Sequence, residues 1–243
     1  MNNKNFNLPN TLTVLRVVLV PFFIFFLFNE DDLYRLIAFF LFLIASLTDL
    51  VDGYLARKWR QETEFGKFLD PLADKILVIS SFVTFILLDE QIELWMVLLI
   101  ILRDMLITTL RYIGIKQGQS IRTTMMGKVK TAFQMGAIVI ILVLFVVVSS
   151  RKRNEINFLY HSSREAGKNG FLIAWENLSN FMLSINHTTS YDFNLIDSIA
   201  SFLPYFIMLI TTIITVLSGI RYLATNSHLL KPSVLLSLFR KQT

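Results

Sequence analysis

The chain has 243 residues, 54% of them hydrophobic, with 22 phenylalanines and no cysteine, and its mean hydropathy is +0.57. That apolar share is above the usual range for a soluble domain, so the chain reads as a polytopic membrane protein, and the missing cysteines exclude a disulfide framework and thiolate metal sites. The formal charge of +5 is no sign of nucleic acid here, because basic residues of a membrane protein set topology or meet anionic lipid and phosphate.

Six apolar runs are expected to be membrane-spanning helices. The first extends from about Val14 to Phe28, after Asn7-Leu8-Pro9-Asn10-Thr11-Leu12-Thr13, in which Pro9 and Asn10 suit a helix entry. It lacks a small-residue cleavage site and reads as a retained helix. Arg16 within it has two readings, a head that snorkels to lipid phosphate or a part in substrate binding. The second run extends from about Tyr34 to Leu50 and the third from about Leu69 to Leu88. The fourth, from about Leu94 to Ile113, carries Arg103, Asp104 and Arg111. Arg103 falls inside it and calls for an inward-facing ion pair or a polar cavity. The fifth follows Gly127, Lys128 and Lys130 and ends near Val148, and the sixth runs from about Ile199 to Leu217, or on to Tyr222.

An even number of spans puts both termini on one side. The connectors after the second and fourth spans are basic, as is the tail with Lys231, Arg240 and Lys241, whereas the turns at 29–32 and 89–93 are acidic. The positive-inside rule therefore places the termini in the cytoplasm. Arg151-Lys152-Arg153 departs from it, heading a polar stretch on the outer side that reaches about Asp197; long loops translocate with less regard for charge. Within that stretch Phe171, Trp175, Leu178, Met182 and Ile185 keep a helical period and predict an amphipathic helix, either lying on the outer leaflet or packed against its extramembrane neighbours. Asn177 and Asn186 open Asn-x-Ser/Thr triplets, a pattern short enough to arise by chance. The expected architecture is all-α, a single membrane domain over residues 1–243 with a polar extracytoplasmic insertion at about 150–197.

The chemistry is concentrated between Asp49 and Asp74. Asp49-Leu50-Val51-Asp52-Gly53-Tyr54-Leu55-Ala56-Arg57 closes the second span, and Gly66, Asp70 and Asp74 open the third. In a helix Asp49 and Asp52 share one face, and Asp70 and Asp74 share another. Two such helices side by side bring four carboxylates to one pocket. Charge at a membrane boundary needs a partner, and hard oxygen ligands in that number suit magnesium or manganese. Two such ions bridged by carboxylates stabilise an in-line displacement at phosphorus. Asp70-Pro71 also reads as an ordinary helix start, but a cap leaves the upstream pair unexplained. A basic cluster of Arg111, Lys128 and Lys130, with Arg103 and Arg122 as additions, suits either orientation of the chain or an acceptor that carries its own phosphate.

The pattern D-x-x-D-G-x-x-A-R-x8-G-x3-D-x3-D is met here at every fixed position, and it resembles the signature of the CDP-alcohol phosphatidyltransferases. Residues 7–16, the Arg103-Asp104 pair with Leu110-Arg111, and Gly127-Lys128-Val129-Lys130-Thr131 are similar to the bacterial phosphatidylglycerophosphate synthases of that family. Asp104 departs from that likeness, standing where glutamate is expected, and so does the long outer segment, which compact members lack.

The resemblance implies a six-helix bundle around a polar cavity open to the cytoplasm, forming a homodimer in the cytoplasmic membrane. It implies CDP-diacylglycerol as donor, sn-glycerol 3-phosphate as acceptor, and two magnesium or manganese ions held by Asp49, Asp52, Asp70 and Asp74. Asp52, Gly53, Ala56, Arg57 and Gly66 would line the CDP-lipid site, and Asp74 would serve as base. Arg103, Arg111, Lys128 and Lys130 would bind the acceptor phosphate. Phosphatidylglycerol or inositol phosphate is the alternative acceptor. A transporter of divalent cations or protons is the alternative class, and it gives Gly53, Ala56, Arg57 and Gly66 no reason for their spacing.

Overall fold

The structure is a computed structural model. It describes residues 8–59, 64–116, 125–186 and 195–226, without the side chains of residues 8–10, 49–72, 74, 113, 115, 116 and 186. Every regular element among them is a helix: α1 (Leu8–Leu27), α2 (Asp32–Trp59), α3 (Glu64–Leu88), α4 (Leu94–Lys116), α5 (Met125–Val147), α6 (Ser150–Glu165), α7 (Gly170–Asn186), α8 (Leu195–Ala200) and α9 (Leu203–Thr225). All six predicted spans are helical. α3 begins at Glu64, so Asp70-Pro71 lies inside the helix and the helix-start reading of that pair fails.

Two segments, Met125–Val147 and Leu195–Thr225, are long and apolar enough to cross a membrane, and Thr11–Leu27 and Lys75–Leu88 are shorter apolar helices. The burial pattern adds to this. Thr13, Arg16, Ser81, Thr84, Lys130, Gln134, Thr211, Thr215 and Ser218 are buried, while Phe22, Phe25, Leu98, Leu102, Ile140, Ile213 and Leu217 are exposed. A surface this rich in large apolar side chains, with polar side chains set inside among the apolar core, suits lipid as the solvent, and the chain is a helical membrane protein.

The backbone divides into two compact units, one of residues 1–92 with 138–205 and one of residues 93–137 with 206–243. In the first, α1 packs along both α2 and α3. Its buried stripe is Thr13, Arg16, Val20, Phe23 and Leu27, and that of α2 is Arg35, Ala38, Phe42 and Ala45. Both alternate steps of three and four, which keeps one face inward along an antiparallel pair. Phe23 meets Phe42 at 5.9 Å between ring centroids, and Phe26 stacks on Tyr34 at 5.6 Å.

One end of this unit collects its connections. Ser150 Oγ donates to the Glu30 carbonyl, Asn157 Nδ2 donates to the Leu88 carbonyl at 2.9 Å, and Gln91 Nε2 donates to the Ala200 carbonyl at 2.8 Å. The two acidic turns therefore lie at the same end. The segment expected as a polar insertion is mostly helical. α6 is capped by Ser149, whose hydroxyl accepts from the Lys152 amide, and Tyr160 ties it to α7 through a 3.0 Å bond to the Gly170 carbonyl. The amphipathic helix predicted from Phe171 to Ile185 is α7. Of the basic triplet at 151–153, Arg153 is buried with its guanidinium 4.1 Å from the Phe145 ring centroid, and Lys152 pairs with Glu155 at 3.0 Å. Asn177 donates to the Ser201 carbonyl at 2.9 Å, a packing role for that side chain.

In the second unit α4 and α9 run parallel. Arg103 meets Ser218, and one turn later Ile107 and Leu110 pack on Tyr222. From the N-terminal half of α5, Lys130 meets Asp104.

Candidate active site

The signature residues fall on the last turns of α2 and the first turns of α3. In α2 the buried stripe at 35, 38, 42 and 45 continues by the same steps to 49, 52 and 56, the positions of Asp49, Asp52 and Ala56. In α3 the buried positions Ala73, Leu77 and Ser81 continue backwards to 70 and 66, with 74 one turn before 77. The four aspartates thus fall on the last turns of α2 and the first turns of α3, at the end of the unit away from the acidic turns. The side chains of Asp49, Asp52, Gly53, Ala56, Arg57, Gly66, Asp70 and Asp74 lie outside the described residues, and among the described residues no three potential ligands form a metal cluster.

Arg16 is better defined. It has no exposed area, so it does not reach lipid phosphate and the snorkelling alternative is excluded. Two turns towards the N-terminus from Phe23 is Arg16, and two turns on from its partner Phe42 is position 49. The antiparallel register therefore sets this buried cation level with the acidic end of α2. The spacing of Thr13, Arg16, Val20 and Phe23 was the available signal, and only the packed helix decides which way that face turns.

The basic cluster divides. Arg103 and Lys130, with side chains 13% and 9% exposed, both bind Asp104: Arg103 Nη1 lies 3.0 Å from Oδ1 and Lys130 Nζ 2.5 Å from Oδ2. Arg103 Nη2 donates to Ser218 Oγ at 2.8 Å. The ion pair expected for Arg103 is therefore present, with Asp104 shared between two cations. Arg111 and Lys128 are exposed. Arg122 and the tail residues Lys231, Arg240 and Lys241 lie outside the described residues. The contribution of α9 was missed: Thr211, Thr215 and Ser218 are fully buried on a helix whose sequence reads simply as a span.

An all-helical membrane chain with an acid cluster at the junction of two helices belongs to a narrow class. Residues 6–159 match the family model described as CDP-alcohol phosphatidyltransferase, and the chain belongs to that family. The protein of Bacillus subtilis named CDP-diacylglycerol–glycerol-3-phosphate 3-phosphatidyltransferase is 41% identical over 145 residues, covering 55% of this chain and 75% of its own length. The proteins of the same name from Haemophilus influenzae and Escherichia coli K12 are 39% identical over 138 residues and 40% identical over 139 residues. They cover 55% of this chain and 74% and 75% of their own lengths.

Proposed function

We propose that the protein transfers the phosphatidyl group of CDP-diacylglycerol to sn-glycerol 3-phosphate, releasing CMP and phosphatidylglycerophosphate. The observation that carries this is the complete signature from Asp49 to Asp74, at the meeting ends of α2 and α3, in a chain about 40% identical to relatives of that name. The enzyme works as one membrane domain over 1–243, with six spans, both termini and the aspartates at the cytoplasmic face, and two copies forming a dimer. The parallel course of α4 and α9 supports the topology, since the fourth and sixth of six alternating spans must run the same way. The shared end of the two acidic turns supports it as well.

Four aspartates are hard oxygen donors, and their positions fit a pair of magnesium or manganese ions held by Asp49, Asp52, Asp70 and Asp74. Such ions, when bound, supply Lewis acidity and charge neutralisation at the donor diphosphate. The chain's own residues do the rest. Gly53 and Ala56 leave room for close approach of the cytidine, with Asp52 and Gly66 completing that site. Arg57 offers several donors to the diphosphate. Arg103, Arg111, Lys128 and Lys130 receive the phosphate of the acceptor. Asp74 takes the proton of the attacking hydroxyl as its oxygen bonds to the phosphatidyl phosphorus and the bond from that phosphorus to CMP breaks.

The test is product formation by purified protein in mixed micelles with CDP-diacylglycerol, magnesium or manganese, and labelled glycerol 3-phosphate, beside Asp74→Asn. Labelled phosphatidylglycerophosphate and an equal amount of CMP, from the wild type alone, are expected. CMP release only with inositol phosphate or phosphatidylglycerol would move the acceptor, and no release with any alcohol would sink the reading.

A further inference from the structure

The face of α9 that meets Arg103 is both polar and tight. Ser218 Oγ accepts from Nη2 at 2.8 Å, while Asp104 holds Nη1 at 3.0 Å. A Cβ added at Gly219 would stand 2.9 Å from Arg103 Cγ, 3.5 Å from Nε and 3.8 Å from Cδ. The arginine stem therefore lies flat on the α9 backbone, where only glycine leaves it space. The crowded atom is mid-stem, so it yields only by moving the whole guanidinium. With two of the three guanidinium nitrogens tied, the third, Nε, is buried without a hydrogen-bond partner. A buried donor left unmet is costly, and an anionic ligand relieves that cost.

We propose that Gly219 and Ser218 are positioning residues for the acceptor: together they fix Arg103 so that its Nε donor is kept for the phosphate of the incoming alcohol. This rests on the acceptor assignment made above. Arginine suits the role because its planar fork, once two nitrogens are tied, presents the third in a single direction. A helix with any larger residue at 219 would displace the fork, and one without the hydroxyl at 218 would leave it to swing about Asp104.

The experiment is steady-state kinetics in mixed micelles on Gly219→Ala and Ser218→Ala, each alone and combined with Arg103→Ala. Gly136→Ala is the control, since nothing lies within 4 Å of a Cβ built there. The apparent KM for glycerol 3-phosphate should rise about tenfold in Gly219→Ala and several-fold in Ser218→Ala, with the KM for CDP-diacylglycerol unchanged. On the Arg103→Ala background neither change should add anything. Ser218→Ala adds no volume, so it reports even where Gly219→Ala disturbs folding. Equal rises in both KM values, an effect on kcat alone, or full additivity with Arg103→Ala would overturn the proposal. A wild type inactive with glycerol 3-phosphate would instead remove the acceptor assignment and this proposal with it, so the two failures are told apart by the wild-type reaction.

Discussion

Between Asp49 and Asp74 four aspartates stand on the last turns of α2 and the first turns of α3, with Arg57, Lys58, Arg60, Lys67 and Lys75 as the neighbouring cations in sequence. On α4 and α5 one aspartate is shared by two cations, and a serine of α9 takes a further donor of the arginine. The first arrangement gathers like charges, which divalent cations from solution would neutralise. The second holds its carboxylate with the chain's own side chains, two cations to one aspartate, and so keeps a net positive charge. Dependence on divalent metal should therefore be a property of the first region, while the second should be sensitive to side-chain length and shape.

The largest effects are expected in the first region. Asp49→Ala and Asp70→Ala should abolish turnover and weaken metal binding, the latter measured by calorimetry with manganese in detergent. Asp74→Asn should lose turnover by at least about a hundredfold while CDP-diacylglycerol still binds. Full activity in any of the three would erase the contrast, because the acidic cluster would then be no more than a charged boundary.

Two lysines two residues apart sharpen the comparison further. Lys130 is buried against Asp104, so Lys130→Ala removes a charge-assisted bond of about 1.5–3 kcal/mol, and both a lower melting temperature and a raised KM for glycerol 3-phosphate are expected. Lys128 is exposed, so Lys128→Ala should raise that KM with the melting temperature unmoved, as exposed substitutions change stability by within about 0.5 kcal/mol. An unchanged KM in Lys128→Ala returns that lysine to a topological role. Equal losses of stability in the two variants would contradict the division between a buried and an exposed cation.

The same two regions differ in how much of them can be read from the amino-acid order. The aspartate signature is legible because its chemistry is carried by spacing alone: three- and four-residue steps on a helix put carboxylates on a face, whatever the helix packs against. The network around Asp104 was half legible. A charge deep in an apolar run requires a partner, so Arg103 announced an ion pair, but Ser218 and Gly219 are small residues in a span, and their meaning exists only where the Arg103 stem crosses them. Arg16 was undecided for a related reason, since burial depends on the direction in which the Thr13 to Leu27 stripe turns. The helices α6 and α7 were only partly foreseen, because they are held by contacts such as Tyr160 to Gly170 and Lys168 to Glu176 at 2.6 Å rather than by a strong apolar period.

Asp89 provides the cleanest control, a carboxyl buried without a cation beside it among the described residues. It lies in the turn after α3, almost without exposed area, and accepts the Gln91 amide at 3.0 Å. Burial pushes its pKa up to about 7, against the opposing pull of the Gln91 hydrogen bonds. In the unfolded chain the ordinary value of 3.8 applies, so between about pH 4 and 7 the folded protein holds a proton that the unfolded chain has released. Its contribution to stability is therefore complete below pH 4, falls as pH rises through that window, and is gone above it. Asp89→Asn keeps an acceptor for the Gln91 amide and cannot titrate. Its melting temperature should lose the decline that wild type shows from pH 4 to 7, and should exceed the wild-type value by a few degrees at pH 8. Parallel profiles for the two proteins would mean that this carboxyl finds its compensation after all. It would then no longer serve as the measure of what an aspartate does in this protein without metal or a basic neighbour.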